Sequence, residues 1–372
     1  MAKNLVICCD GTNNSLQRPL TNVALLSRLA SGKGPAQFVY YDVGVGVEAS
    51  PNLSTRIGQT VSRWAGLAFG TGLVANVEQA YLALVDHYEP GDQVFLLGFS
   101  RGAYTARVLA GLLQNYGLLR SDQRSDAPTV VAAFKKLFPK KTPNDSQNKK
   151  ARKEQEERFA LAGKIRKTQS VECPIHFLGL FDTVSSLGWA FDPKTFPNTA
   201  RMPSVRKIRH ALALDERRAK FRTNRVTPLD GQDVREVWFA GVHSDVGGGY
   251  EPPRDRLSRI PLRWMLREAR QSGLLVDPAE EAALQLDATV LEDEQAPQNE
   301  SLSGAWWPLE VLPLPHLEQT PTGWVERKRL YRGNGWRRLR PDDWVSGSVR
   351  RRWRAIKNQH WKDVEGTVRW EE

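Results

Sequence analysis

Short apolar runs alternate with amphipathic segments over the first 250 residues of the chain. The apolar runs bounded by turn residues predict five buried strands, at Asn4–Cys9, 37–43, 93–97, Ile175–Phe181 and 236–242. Apolar positions at helical spacing predict the intervening helices, at 22–29, 76–87, 103–116 and 205–220. This alternation is typical of an α/β fold with a mostly parallel central sheet flanked by helices.

Two regions depart from this alternation. Residues 121–170 are charged and poor in apolar positions, which predicts an insertion that is part helix and part loop. Insertions over the carboxyl edge of such a sheet commonly form lids. After Tyr250 only one amphipathic helix, at 261–273, stands out before a stretch rich in Pro, Trp and Arg. We therefore expect a core over residues 1–270, with a lid-like insertion, and an extension over 271–372 packed on it.

The composition, with 40% hydrophobic and 26% charged residues, is that of a soluble globular protein. No apolar run approaches the roughly 20 residues that a membrane span needs, and the first residues lack a signal-peptide pattern. Three cysteines, two of them adjacent, exclude a disulfide framework and favour buried thiols in a reducing compartment. We expect a protein that is cytoplasmic as synthesised, with secretion without a signal peptide left open.

The net charge of +11 favours anionic partners such as phospholipid surfaces or nucleic acid. The basic residues are concentrated in two clusters, over 135–167 and 327–354. The first cluster is interpreted as a solvated face. For the second, a solvated face and an anionic membrane surface both remain open.

A Gly-Phe-Ser-Arg-Gly pentapeptide, with its serine at position 100, carries the strongest chemical signal. It follows the strand 93–97 and opens the helix 103–116, which is the context of a sharp strand-to-helix turn. Such a turn raises Oγ above the sheet and needs small residues where the backbone is crowded. The sequence therefore predicts an α/β-hydrolase-like fold with Ser100 as nucleophile, in preference to an ordinary glycine-rich turn.

A serine hydroxyl needs a base, and His243 is the candidate because it follows a late strand and opens a glycine-rich loop. The acid of a Ser-His-Asp triad should lie between them in the chain, at a strand end. Asp182, directly after Ile175–Phe181, meets both conditions. Asp245 is the alternative acid or a supporting residue, since its place two residues after His243 gives poor geometry for a bond to the ring.

An oxyanion formed at Ser100 would need two backbone donors. The N–H of Arg101, the residue after the nucleophile, is the first candidate. The second is predicted in the loop after the first strand, at Gly11 or Thr12. Asp10 either braces this loop or simply ends the strand.

Two other classes of function compete with an esterase. Asp10, Asp182, His243 and Asp245 could supply ligands to a divalent cation in a metal-dependent phosphoesterase, but this leaves the Ser100 motif unexplained. A basic, aromatic C-terminal region could bind nucleic acid, but no nucleic-acid-binding module supports it. The preferred prediction is an ester hydrolase with no metal and no cofactor.

The chain resembles the α/β-hydrolase domain family of bacteria and fungi that includes phospholipase effectors of type VI secretion systems. The resemblance rests on Cys-Asp-Gly-Thr-Asn-Asn from position 9, Gly-Phe-Ser-Arg-Gly-Ala from 98, Gly-Leu-Phe-Asp-Thr-Val from 179, the stretch 210–218, and His-Ser-Asp-Val-Gly-Gly-Gly-Tyr from 243. It implies a Ser100, Asp182 and His243 triad that hydrolyses lipid or other acyl esters without a cofactor. An immunity or adaptor protein is an open partner. The stretch 210–218 is expected to be a helix beside the site, with Arg217 or Arg218 either facing an anionic substrate or held in internal ion pairs.

Overall fold

The computed structural model describes residues 2–11, 19–44, 69–137, 149–184, 199–304, 306–311, 313–320, 323–352 and 365–371. Its strands are β1 (Asn4–Cys9), β2 (Gln37–Asp42), β3 (Gln93–Phe99), β4 (Leu118–Leu119), β5 (Ser170–Val171), β6 (Ile175–Phe181), β7 (Val205–Ala213), β8 (Asp233–Phe239), β9 (Leu314–Thr320), β10 (Gly323–Arg329), β11 (Trp344–Ser346) and β12 (Arg369–Glu371). Its α-helices are α1 (Asn22–Ala30), α2 (Phe69–His87), α3 (Arg101–Tyr116), α4 (Ala127–Leu137), α5 (Lys149–Thr168), α6 (His243–Gly247), α7 (Arg259–Gln271), α8 (Pro278–Leu284), α9 (Val290–Gln295), α10 (Trp307–Glu310) and α11 (Gly347–Arg352).

Eight of the described strands form one sheet, in the order β12-β11-β8-β7-β6-β3-β1-β2. Neighbouring strands pair in parallel throughout this sheet, so their carboxyl ends share one edge. The strand order reverses between β1 and β3, because the chain runs from β1 to one edge and then returns to the other side. Ligands of such sheets bind outside the carboxyl ends at this reversal. The expected α/β-hydrolase-like arrangement is confirmed.

Both faces of the sheet are covered, which explains why β1, β3 and β6 are nearly continuous apolar runs. Val6 and Cys8 of β1 pack on the side of α1 and α7. Leu5, Ile7 and Cys9 point to the opposite side, where α2 and α3 lie. All three cysteines of the chain are buried and free, Cys8 and Cys9 on β1 and Cys173 just before β6.

The prediction of a helix over 205–220 is wrong. Residues Val205–Ala213 form β7, which is paired on both sides, with β6 and β8. Val205, Ile208 and Leu212 lie three and four positions apart, so they mimic a helical face. The competing factor is tertiary: Arg209 and His210 point into the protein and are compensated by acidic side chains of other elements.

The described part of the insertion over 121–170 packs on the helices of one face, with α4 against α2 and α3 and α5 against α3. β4, directly before the insertion, pairs with β5 at its end, close to where β6 begins at the amino edge of the sheet. This is the edge opposite Ser100. Residues 138–148 of the insertion lie outside the described residues, and the lid assignment stays a prediction.

The C-terminal region is part of the sheet as well as packed on the core. β11 pairs in parallel with β8, and β12 pairs with β11, so the region extends the sheet by two strands. Sequence patterning did not indicate them, since each strand has only three residues. None of the described helices has the length and apolarity needed to cross a membrane.

Candidate active site

The strand-to-helix turn after β3 places Ser100 at the carboxyl edge of the sheet, beside the reversal of strand order. Ser100 has φ 58° and ψ −119°, a backbone conformation that non-glycine residues rarely adopt. Its N–H donates to the carbonyl of Phe181 at 3.0 Å, which ties the turn to the end of β6. The strained conformation is therefore held by pairing between neighbouring strand ends.

The glycine after the serine is required by close packing. A Cβ on Gly102 would collide with the carbonyl oxygens of Cys9 and Asp10. The first turn of α3 thus lies directly against the end of β1. This contact brings the loop after β1 next to Ser100 and Arg101.

Ser100, His243 and Asp182 form a continuous hydrogen-bonded row. His243 Nε2 lies 2.8 Å from Ser100 Oγ, and its Nδ1 lies 2.6 Å from Asp182 Oδ2. Because a carboxylate only accepts, Nδ1 carries the proton and Nε2 is left to accept from the serine hydroxyl. Ser100 and His243 are each 3% exposed and Asp182 is fully buried.

Asp182 is held as a carboxylate by several donors. The N–H of Ala213 and the guanidinium of Arg337 donate to Oδ1, and the other nitrogen of that guanidinium is 2.9 Å from Oδ2. Burial raises the pKa of Asp182, but the charge of Arg337 and the hydrogen bond from His243 outweigh it and hold that pKa well below its usual range. Arg337 was not singled out from the sequence, because it is one of many arginines in a region without a clear pattern.

His243 stands at the start of the short helix α6, between two aromatic rings. The ring centroids of Phe99 and Phe221 lie 4.7 and 4.8 Å from that of the imidazole. The His243 N–H donates to Glu216 Oε2 at 3.2 Å. Burial lowers the pKa of His243 and prevails over the opposing effect of Asp182, so the neutral form is favoured.

Asp245 does not contact the imidazole through any hydrogen bond of the structure. Its carboxylate accepts from the N–H of Val242 at 3.0 Å and from the backbone and side chain of Asn299 at 3.2 and 2.6 Å. It therefore ties the loop that carries His243 to a segment before α10. Of the two predicted roles of Asp245, the geometry favours that of a residue that supports the loop of His243.

Asp10 braces the end of β1. It accepts from the N–H of Gly11 and the hydroxyl of Tyr41, both at 2.6 Å, and from the hydroxyl of Thr21. Thr21 in turn caps α1. The N–H of Gly11 is thus already engaged, and Thr12, the other predicted second donor, lies outside the described residues.

The stretch 210–218 contacts the backbone next to Asp182 and the backbone of His243. His210 Nε2 accepts from the N–H of Thr183, next to Asp182, and its Nδ1 donates to Glu236 at 2.8 Å. Glu216, which holds the backbone of His243, also receives the guanidinium of Arg218. This favours the internal ion-pair interpretation of Arg218, on a strand and loop instead of the expected helix.

The four side chains of the metal alternative do not converge on one point. Asp10 and Asp245 serve different loops, whereas Asp182 and His243 contact each other. Within the described ranges, no group of three or more His, Cys, Asp or Glu residues is placed to hold a metal ion. The residues that do converge are a serine, a histidine and an aspartate in one hydrogen-bonded row.

Comparisons with known proteins give similarity to a yeast protein and to two solved structures. A protein of Saccharomyces cerevisiae (strain ATCC 204508 / S288c) described as uncharacterized protein YEL023C is 36% identical over 237 residues, 61% of this chain and 33% of the yeast protein. An uncharacterized protein from Pseudomonas aeruginosa has a solved structure that is 20% identical, with a TM-score of 0.43 over 80% of this chain and 51% of its own. The Tle1 effector bound to the VgrG spike from the type 6 secretion system is 16% identical, with a TM-score of 0.45 over 79% of this chain and 78% of its own.

The chain spans about a third of the yeast relative and about half of the Pseudomonas aeruginosa protein. Residues 3–268, which are most of the chain, match the family model described as "T6SS, Phospholipase effector Tle1-like, catalytic domain". This range contains Ser100, Asp182 and His243. The chain therefore belongs to the family of Tle1-like phospholipase effector catalytic domains of type VI secretion.

Proposed function

We propose that the chain is a serine esterase of the phospholipase type, which hydrolyses acyl esters through an acyl-enzyme at Ser100. The observation that carries the proposal is the hydrogen-bonded row from Ser100 Oγ through His243 to Asp182. Its order along the chain and its place at strand ends are those of an α/β hydrolase.

In the proposed reaction, Ser100 Oγ attacks the ester carbonyl carbon while His243 Nε2 takes the hydroxyl proton. The imidazolium then gives this proton to the leaving alcohol oxygen as the acyl–oxygen bond breaks. Water, deprotonated by the same nitrogen, attacks the acyl-enzyme, and the proton passes to Ser100 Oγ as the acid is released. Asp182 holds the Nδ1–H tautomer and stabilises the imidazolium in both steps. No cofactor takes part.

The oxyanion is proposed to lie at the start of α3, where the N–H of Arg101 and the positive end of a 16-residue helix point. The second donor is proposed in the Gly11–Thr12 loop, which the contact of Gly102 with β1 supports. Gly11 would have to release its bond to Asp10 in order to serve, so Thr12 is the stronger candidate.

Replacement of the nucleophile tests the proposal. Ser100→Ala should lower kcat on a short p-nitrophenyl ester by on the order of 10³-fold or more. The control Ser121→Ala, at an exposed serine, should leave kcat unchanged. EDTA should not affect the wild-type rate. Activity that survives in Ser100→Ala and is abolished by EDTA would overturn the proposal in favour of a metal-dependent hydrolase.

The substrate is proposed to be a phospholipid at an anionic surface, in keeping with the family and the net charge of +11. The basic charge should draw the protein to anionic vesicles, an attraction that salt weakens. Flotation with vesicles of phosphatidylglycerol or phosphatidylcholine, in low and high salt, tests this. Equal binding to both lipids would contradict it. An immunity or adaptor partner remains a prediction.

A further inference from the structure

A buried arginine from the C-terminal region is bonded to the carboxylate that orients the proposed base. The guanidinium of Arg337 contacts both oxygens of Asp182. It also donates to the carbonyls of Phe221 and Ala213, at 2.6 Å and 2.9 Å for the closest pairs. The side chain is 3% exposed and that of Asp182 is 0% exposed. A planar fork that meets both oxygens fixes the orientation of a carboxylate, which a point charge does not.

The two oxygens of Asp182 are used differently. Oδ1 is occupied by Arg337 and the N–H of Ala213, whereas Oδ2 is shared between Arg337 and His243. Any change at Arg337 therefore alters the hydrogen bonding of Oδ2, the oxygen that accepts from the imidazole. The left-handed backbone of Asp182, with φ 40°, is a further reason why its side chain needs outside support.

Other charged groups around this pair are already matched. Glu216 is bonded to Arg218 and to the backbone of His243, and His210 is bonded to Glu236. Both Arg218 and Arg337 lie close enough to Glu216 to lower its pKa, to about 2, against the effect of burial. Arg337 is the cation bonded directly to Asp182 among the described residues.

We propose that Arg337 is a positioning residue of the esterase reaction: it aligns the carboxylate of Asp182 with His243 and sets the proton affinity of that pair. This inference rests on the proposed function. Arg337 lies outside residues 3–268, so it would make the C-terminal region a component of the active site. With Arg337 present, a proton added to the Asp182–His243 pair meets a fixed positive charge. Without it, the pair holds a proton more tightly, whichever of the two groups carries it.

Two substitutions and one matched control test the inference. Arg337→Met keeps the length of the apolar stem and removes the charge, whereas Arg337→Lys keeps the charge and removes the fork. Arg338→Met is the control, since Arg338 is exposed and adjacent in sequence. We expect Arg337→Met to lower kcat roughly 10²-fold with little change in KM, as for a misplaced catalytic group. Arg337→Lys should recover part of this loss.

The pH dependence separates positioning from a purely structural role. In Arg337→Met the acid limb of kcat/KM should move to higher pH, and in Arg337→Lys it should stay close to that of the wild type. A structural role alone would lower the amount of active protein and leave the limb in place. Far-UV circular dichroism and gel filtration confirm that the variants compared are folded.

A double-mutant cycle with Asp182→Asn completes the test. If Arg337 acts through Asp182, Arg337→Met should cost little further activity in the Asp182→Asn background. Equal loss in both backgrounds, or an unshifted acid limb in a folded Arg337→Met, would overturn the inference. Persistent activity in Ser100→Ala would instead overturn the proposed function, so the two failures are distinguishable.

Discussion

At the scale of single residues, two influences oppose each other on the imidazole of His243. Burial disfavours the imidazolium, and Asp182 favours it. Burial prevails, with a contribution from the charge of Arg218, so the pKa lies below the ordinary 6.5. A base with this property remains neutral, and therefore able to accept the Ser100 proton, in mildly acidic solution.

The pH profile of the wild type should reflect this. Activity requires neutral His243, so kcat/KM should be at its plateau above the pKa and fall as pH drops through it. Since that pKa is lowered, the midpoint of the acid limb should lie below pH 6.5. Initial rates on a short p-nitrophenyl ester between pH 4 and 8 measure it. A midpoint above 6.5 would show that Asp182 outweighs burial.

The two aspartates near His243 should differ in what their loss affects. Asp182→Asn should lower kcat roughly 10⁴-fold, because the amide favours the wrong imidazole tautomer. Asp245→Asn weakens bonds to Val242 and Asn299, and should mainly lower the free energy of unfolding, by about 1–3 kcal/mol. Steady-state kinetics and urea unfolding of both variants measure this. The reverse pattern would make Asp245 the acid.

At the scale of elements, the contact between α3 and the end of β1 determines where Ser100, the proposed nucleophile, lies. The first turn of α3 approaches the carbonyls of Cys9 and Asp10 so closely that only glycine fits at position 102. The helix and the strand can approach this closely because position 102 has no side chain. The same approach aligns the N-terminus of α3 with the loop after β1.

Substitution of this glycine should displace the helix. Gly102→Ala should lower the free energy of unfolding by about 1–3 kcal/mol, the typical cost of overpacking, and reduce kcat strongly. Gly163→Ala in α5 is the control, because a Cβ there meets nothing within 4 Å. It should be neutral or stabilise by roughly 0.5–1 kcal/mol. Thermal unfolding and ester hydrolysis of both variants test this, and a fully active Gly102→Ala would refute it.

At the scale of the whole molecule, the family-matched region and the C-terminal region share one sheet. β8 would be an edge strand without β11, and Trp238 of β8 donates its ring N–H to Asp343, just before β11, at 3.1 Å. Arg225 is bonded to the same carboxylate at 2.6 and 2.9 Å. These contacts connect residues far apart in the chain.

A chain that ends at residue 270 should therefore fail to reach the native state. It would lose β11 and β12, expose an apolar strand edge and leave Asp182 buried without Arg337. We expect it to aggregate or to lack ester hydrolysis, as judged by gel filtration and activity beside the full chain. A soluble, fully active product would establish residues 271–372 as a dispensable extension.

Much of the core was predictable because its signals are local. Apolar runs indicated β1, β2, β3, β6 and β8, and the glycines around Ser100 indicated the turn at that position. Asp182 and His243 were identified because parallel strands end at one edge, so residues after separate strands meet there. The prediction failed for β7, because charged residues separate its apolar positions by three and four residues, as in a helix. A strand is favourable there only because Arg209 and His210 meet acidic partners on β8 and α7.

The sequence by itself determined the parallel α/β core, the strand-to-helix turn at Ser100 and the order of Ser100, Asp182 and His243, because short-range patterns encode each of them. Only the tertiary structure decided that β11 and β12 extend the sheet, that Asp245 supports the loop of His243, and that Arg337 is bonded to Asp182. Such long-range pairings depend on which groups are buried together. An arginine 155 positions away from its carboxylate leaves no local trace in the sequence.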